Sequence, residues 1–297
     1  MTAVFVEEGP DKGAIWHFGE PNQEQRALAS GAAWADLSHR TVITVSGADR
    51  LTWLNDLTTQ ELRNLQPGEW TTALILDAQG HIKDQLFLVD DGTTTWIHTE
   101  AERENEVLTF LQKMVFMLRV VPLSVTRGYS VFRAPGATDA IGGPFAIIPR
   151  SEATEYARKL AATATQVGMW ALEADRIAAS RARLLFETDH KSIPNELGFL
   201  NNAVHMKKGC YPGQETVAKV FNLGKPPRRL TLLHLDGSMI TMPVHGDKVF
   251  DGEKEVGYIG SVARHFELGP IALAVLRRAT PLDVTLVIDG VAATQEV

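Results

Sequence analysis

The sequence holds a single cysteine, Cys210, in 297 residues. That excludes an intramolecular disulfide and any cysteine-rich zinc or iron–sulfur site made by this chain alone. Long hydrophobic runs are missing too: no apolar stretch approaches the roughly 18 residues that span a bilayer. Met1 to Pro10 carries Glu7 and Glu8 and no basic segment leading into an apolar core, so it does not read as a secretory signal. The expectation is a cytoplasmic protein with no membrane partner. A basic surface is also lacking. Lys and Arg number 29 against 36 Asp and Glu, a net charge of −7, whereas non-specific nucleic-acid binding draws its affinity from positive charge. Direct nucleic-acid binding is not expected, although a local basic patch could still hold a small anion. Phosphate-loop, dinucleotide and zincin motifs are absent. Nine histidines are scattered with no pair at metal-ligand spacing on a helix, and no metal is assigned.

What remains has the balance of a globular protein, with 44% hydrophobic and 22% charged residues. The length suits two or three packed units rather than one core. Gln23 to Trp34 reads as a helix, and Thr41 to Ser46 as a β-branched strand. Leucines at 51, 54 and 57 mark a helix over Ala48 to Leu57. Thr71 to Asp77, Ile82 to Val89 and Thr94 to Thr99 read as strands, the first two joined by the Ala78-Gln-Gly80 turn. Glu102 to Met117 reads as a helix and Arg119 to Val125 as a strand. This order suggests an α+β unit with antiparallel pairing. A second unit follows: strands Tyr129 to Ala134 and Phe145 to Ile148, then helices Glu152 to Thr165 and Met169 to Arg181. Beyond Phe221 the texture changes to short strands between Gly, Pro and Asp: Leu230 to Leu235, Lys248 to Phe250, Val256 to Ala263, Ile271 to Leu276 and Val284 to Ile288. Such spacing is typical of a small barrel or sandwich.

Chemistry concentrates around Cys210. Lys207 and Lys208 precede it, and Pro212-Gly213 leads into a helix beginning near Glu215. Ammonium groups and a helix N-terminus both favour the thiolate. The residues alone equally allow a small buried thiol followed by a turn.

Lys208-Gly-Cys-Tyr-Pro-Gly-Gln-Glu215 resembles, at every position, the signature of the YgfZ-type folate-binding proteins, which share the glycine-cleavage T-protein (GcvT) fold. Other segments are similar to that fold's sequence in order: Ala35 to His39, Ser46 to Asp49, Gly80 to Gln85, Pro194 to Glu196 and Gly257 to Ser261. The resemblance covers roughly residues 30 to 280. It implies an α+β protein with two interleaved ferredoxin-like lobes plus a C-terminal β-barrel, arranged around a central folate channel. The expected spans are 1–221 for the folate-binding region, with lobes over 41–125 and over 1–40 plus 126–221, and 222–297 for the barrel.

The resemblance also implies roles. Cys210, Asp84 and Lys208 form the catalytic set, with Lys208 favouring the Cys210 thiolate. Asp84 matches the first acid of the T-protein Asp-Asp pair, and Gln85 replaces the second. Asp175 to Ala178 aligns with the T-protein Leu-Arg-Leu-Glu, where Ala178 lacks the glutamate that grips the pterin. Asp84, Asp189, Glu196, Lys207, Gln214, Glu215 and Arg228 form the cofactor-binding set for tetrahydrofolate or a derivative. Within it, Glu196 substitutes for the lost pterin acceptor, and Lys207, Lys208 or Arg228 holds the anionic glutamate tail. The implied function is a folate-dependent accessory to iron–sulfur proteins or their assembly machinery, linked only indirectly to tRNA modification. An aminomethyltransferase and a non-catalytic scaffold are the alternatives, and whether the chain turns over a substrate stays open.

Overall fold

A computed structural model describes residues 2–135, 145–238 and 241–296. The expected domain spans also contain Met1, residues 136–144 and 239–240, and Val297, which lie outside the described residues. Strands β1 (Val4–Phe5) and β2 (Ile15–His17) pair ahead of helix α1 (Pro21–Ala29). Pro21 suits a helix start, where its missing N–H would have no intrahelical partner. The helix stops well before Trp34, and Ala33–Asp36 is strand β3 instead. Ala33, Trp34 and Ala35 are all buried. A short run buried on both faces has no period by which sequence could separate strand from helix.

The next segment comprises β4 (Thr41–Ser46), α2 (Arg50–Leu57), β5 (Trp70–Leu76), β6 (Ile82–Asp90), β7 (Thr94–Thr99), α3 (Glu104–Lys113) and β8 (Val121–Ser124). Its strands form an antiparallel sheet of order β5-β6-β7-β4-β8. Trp53 and Leu54 of α2 and Val107 and Leu111 of α3 pack on Ile43, Leu86 and Leu88, so both helices cover one face. Helix α3 ends at Lys113 rather than Met117, and Phe116 adopts a left-handed φ of 45°.

A second sheet is assembled from both sides of that segment. Strands β9 (Tyr129–Arg133) and β10 (Phe145–Pro149) and helix α4 (Ala153–Ala161) come next. They precede the two-residue strand β11 (Thr165–Gln166) and helix α5 (Met169–Ala178). The order is β10-β9-β3-β11, with β11 parallel to β3. The helix expected to reach Thr165 therefore stops short, because its end is recruited into the sheet.

After a connector and helix α6 (Gln214–Leu223) come β12 (Arg228–Leu235), β13 (Lys248–Asp251), β14 (Lys254–His265), β15 (Gly269–Arg277), β16 (Leu286–Ile288) and β17 (Val291–Gln295). They close a barrel in the order β12-β15-β14-β13-β16-β17. The expected α+β class with a terminal barrel is met. The sixth strand, β17, was not read from sequence, and it closes the ring on β12. Among the described residues, no helix is long and apolar enough to cross a membrane.

One apolar cluster joins the parts. Leu74, Leu76 and Ile82 of the first sheet meet Leu197 and Phe199 of the connector, Tyr211 and Val217 around α6, and Val275 of the barrel. The Lys208–Glu215 motif is fixed there by glycine contacts. Gly213 has φ 77°, and a Cβ on it would lie 2.6 Å from the Asp77 carbonyl oxygen and from the Gly80 Cα. The hairpin turn between β5 and β6 thus lies directly on the start of α6, a fit only glycine allows. Gly209 has no such constraint: a Cβ there would approach only the Arg63 guanidinium, at 3.7 Å. Gly213→Ala should therefore cost at least about 2 kcal/mol of stability, combining backbone strain and clash. Gly209→Ala should stay within about 0.5 kcal/mol. Urea unfolding midpoints of the two variants check this.

Candidate functional site

A cavity of about 370 Å³ lies between the two sheets, α5 and the connector. Its size is within the usual range for small-molecule sites. Strand alternation decides what faces it. On β6, Leu86 and Leu88 enter the core under α2 and α3, so Gln85 and Phe87 line the cavity. Phe87 stacks on His98 with ring centroids 4.8 Å apart and planes 7° from parallel. Phe145 meets His98 edge-on at 4.3 Å and also lines the cavity. Burial, with the Arg40 charge adding to it, pushes the His98 pKa well below its ordinary value, so the ring is neutral. Neither ring nitrogen of His98 has a hydrogen-bond partner among the described residues. The guanidinium of Arg40 lies 5.2 Å from the centroid of the Phe87 ring.

The opposite wall is charged and extensively paired, with the Arg40 Nε left without a partner among the described residues. Arg183 grips Asp11 at 2.6 and 2.8 Å, Glu100 at 2.7 and 3.0 Å, and Glu173 at 2.9 Å. Arg40 donates to Glu100 at 2.8 Å. Arg176 donates to Glu173 at 2.6 Å, to Glu187 at 3.0 Å and to Ser261 of the barrel at 2.5 Å. A Cβ on Gly260 would strike the Glu187 side chain at 2.7 Å, so this glycine lets the barrel approach the network. Burial by itself would raise the pKa values of Asp11, Glu100 and Glu173. The arginines more than offset it and hold all three carboxyls below their ordinary range. Glu187 goes the other way, because its burial outweighs Arg176. Asp175 also lines the cavity, and its Oδ2 accepts from Arg181 at 2.5 Å.

The structure places the sequence-derived residues elsewhere. Asp84 is on the other face of β6 from Gln85, bound to Arg103 at 2.7 Å, and burial raises its pKa despite that partner. It does not line the cavity. Arg228 forks onto Glu196 at 2.9 and 2.8 Å and reaches Asp189 at 2.6 Å. The three tie β12 to the connector, and none of them lines the cavity. An arginine shared by two carboxylates is not available for a glutamate tail. Lys208 is buried, and its ammonium donates to the carbonyls of Asn55, Thr58 at 2.6 Å and Gln60 at 2.7 Å. It caps the carbonyl end of α2, and burial pushes its pKa down to about 8. Its charge is directed into that cap rather than at Cys210. Cys210, Lys207 and Glu215 are exposed, Gln214 opens α6, and all four are outside the cavity lining. Ala178 packs on the Ile177, Leu232 and Ile271 cluster, so the missing glutamate leaves no gap in the cavity wall.

Residues 2–140 match the family model described as the GCVT N-terminal domain. Glycine cleavage system aminomethyltransferase T from Bartonella henselae has the same fold, with a TM-score of 0.83 over 99% of this chain and 92% of that one, at 15% identity. The chain has the GcvT fold. Among curated relatives, a protein from Mycosarcoma maydis named as a mitochondrial iron-sulfur cluster assembly factor IBA57 homolog is 24% identical over 260 residues. The match covers 77% of this chain and spans 64% of that relative's length. An aminomethyltransferase of Rippkaea orientalis is 25% identical over 321 residues, covering 91% of this chain and 86% of the relative.

Sequence reasoning missed most of the GcvT-fold cavity wall. Glu173 and Arg176 stand three apart on α5, a legible helical pair. Arg40, Glu100 and Arg183 carry little local signal: Glu173 is ten residues from Arg183, and the other partners are 60 to 172 residues away. Arg183→Met should lower stability by about 3–5 kcal/mol, since it takes from three buried carboxylates the guanidinium they share and leaves Asp11 with no arginine. The three depressed carboxyls contribute stability that is full above their unfolded pKa values near 4 and is lost as pH falls through their lower folded values. Thermal melting from pH 7 down to pH 2 should show the wild-type advantage over Arg183→Met shrinking at the acid end.

Proposed function

We propose that this protein binds a reduced folate in the central cavity and serves as an accessory factor for iron–sulfur proteins, without efficient aminomethyl transfer. The observation that carries this reading is the β6 face: the cavity receives the Gln85 amide, the neighbouring Asp84 is turned away and paired with Arg103, and the carboxylates of Glu100, Glu173 and Asp175 in the lining are each held by an arginine. An amide can donate and accept hydrogen bonds to a pterin but cannot take up a proton as a carboxylate does. Phe87 and Phe145 supply apolar faces for a planar ring, and Asp175 supplies an acceptor at the rim. The iron–sulfur half rests on the name of the Mycosarcoma maydis relative and on the exposed thiol of Cys210. An outward thiol is placed to meet a partner protein rather than the folate. Any link to tRNA modification is indirect on this reading, and the proposed compartment is the cytoplasm, although that relative is named as mitochondrial.

Titration calorimetry with tetrahydrofolate should give a micromolar Kd, a binding free energy of about −8 kcal/mol. Phe87→Ala should weaken it about tenfold through lost stacking area. No heat at millimolar ligand would leave only the scaffold reading. Lipoyl-dependent aminomethyl transfer should be negligible beside a T-protein assayed in parallel. A comparable turnover would establish the transferase reading instead. Cys210→Ser should keep both folate affinity and melting temperature while losing rescue of a cluster-dependent enzyme in cells lacking the protein. Full rescue by Cys210→Ser would show that the thiol is dispensable.

A further inference from the structure

Among the described residues, exposed large apolar side chains cluster most densely along the chain at the α3–β8 turn, outside the cavity lining. Phe116 is 81% and Met117 99% exposed, and Leu118, Val121 and Leu123 are exposed beside them. Monomeric surfaces rarely carry contiguous apolar groups of this kind unless something docks there. Phe116 is also held at φ 45°, a backbone region that bulky side chains seldom occupy. Charge along this stretch of the chain is one-sided. No acidic residue occurs from Val107 to Thr138, although the chain holds 36 in 297 residues. Lys113 and Arg119 bracket the apolar tip and Arg127 follows β8. Arg119 is satisfied by Asp49 at 2.7 Å, which leaves Lys113 and Arg127 as the uncompensated charges of the rim.

We propose that this patch docks an amphipathic, acidic segment of a partner protein, and that it does so through side chains rather than by strand addition. Strand β8 is the outer strand of its sheet. Val125 donates to Val42 across the β4–β8 ladder, so by alternation Val121 and Leu123 point their backbone groups at β4 and residues 122 and 124 point theirs outward. Pro122 has no N–H, leaving Ser124 as the one outward donor of β8. A proline at this position blunts the edge against a further strand. That excludes both an incoming β-strand and edge-to-edge pairing of two copies. An anionic membrane is disfavoured because Lys113 and Arg127 fall short of the cluster of about four to eight basic residues that holds a protein on such a surface. A protein segment senses chiefly the charges within a Debye length of about 8 Å; beside β8 the Glu104 carboxylate accepts from Ser124 and Thr126, and against that one acid stand Lys113 and Arg127. Met117 adds an adaptable apolar contact of the sort used on docking surfaces. The mode is that of a helix laying its apolar stripe on the tip with carboxylates toward Lys113 and Arg127.

The test uses the full-length protein and a labelled synthetic helix with leucines at i, i+3, i+4 and i+7 and glutamates elsewhere, read by fluorescence anisotropy. This peptide should bind in a salt-dependent way. Phe116→Ser/Met117→Ser and, separately, Lys113→Glu/Arg127→Glu should each weaken it at least about tenfold. Circular dichroism melting of both variants should match wild type, since all four side chains are exposed. Equal binding of a leucine–lysine counterpart, of a strictly alternating leucine–glutamate strand peptide, or no effect of either variant would overturn the proposal. So would Phe116-dependent cosedimentation with phosphatidylcholine–phosphatidylserine vesicles. In cells, where the test rests on the accessory-factor reading, Phe116→Ser/Met117→Ser should bind tetrahydrofolate normally yet lose rescue of the cluster-dependent enzyme. Full rescue by that variant overturns the docking surface. Failure of the wild type to bind folate or to rescue would count against the functional reading, and the peptide arm would still decide the surface.

Discussion

The guanidinium of Arg183 is the point on which the assembly turns. It is buried, and it contacts carboxylates from the N-terminal segment (Asp11), the end of β7 (Glu100) and helix α5 (Glu173). Through Glu173 the chain of charge runs on to Arg176, Glu187 and Ser261 of the barrel. Three arginines thus face four carboxylates in a water-poor interior. The net worth of such a network for stability is small compared with a well-packed apolar core, but removing one member is costly because the others cannot be resolvated. Its value here is geometric. Each pairing admits one arrangement of sheet, helix and barrel, and that arrangement sets the charged wall of the cavity.

A second constraint links the signature motif to the first sheet. Lys208 closes the carbonyl end of α2, Tyr211 enters the shared apolar cluster, and Gly213 fits against the turn that precedes β6. Those contacts lock the segment at both ends of Cys210 and leave the thiol itself exposed. A motif whose residue types suggest an activated thiol is thereby, for the most part, a clamp that presents one. The same turn leads into the strand whose alternation aims Gln85 into the cavity and Asp84 away from it, so motif, hairpin and cavity are mechanically continuous.

Much of the architecture was written locally. Periodic leucines gave α2, β-branched runs gave β4 to β7, and the change of texture past Phe221 marked the barrel. Misjudged elements share a cause. Strand β3 is buried on both faces, β11 is two residues long, and β17 is alanine-rich, so none has a pattern that survives without its neighbours. Helix ends near Lys113 and Ala161 moved for a similar reason, since tertiary pairing claims the residues beyond them.

The site divides the same way. By itself the sequence determined which family features are present: the eight-residue motif, the Gly80 turn, an amide where the T-protein pattern has a second acid, and alanine in place of its glutamate. Those are properties of residue type and order. Only the tertiary structure decided which way each side chain faces. Asp84 and Gln85 are adjacent in sequence and on opposite sides of a sheet, because β-strand side chains alternate. Arg228, Asp189 and Glu196 read as three ligand contacts and instead pair with one another where β12 meets the connector. Lys208 reads as a partner for its neighbour Cys210, and binds a helix end some 150 residues earlier in the chain. Charges choose partners by proximity in space, and that proximity is created by packing of the apolar core, which no local stretch of sequence contains.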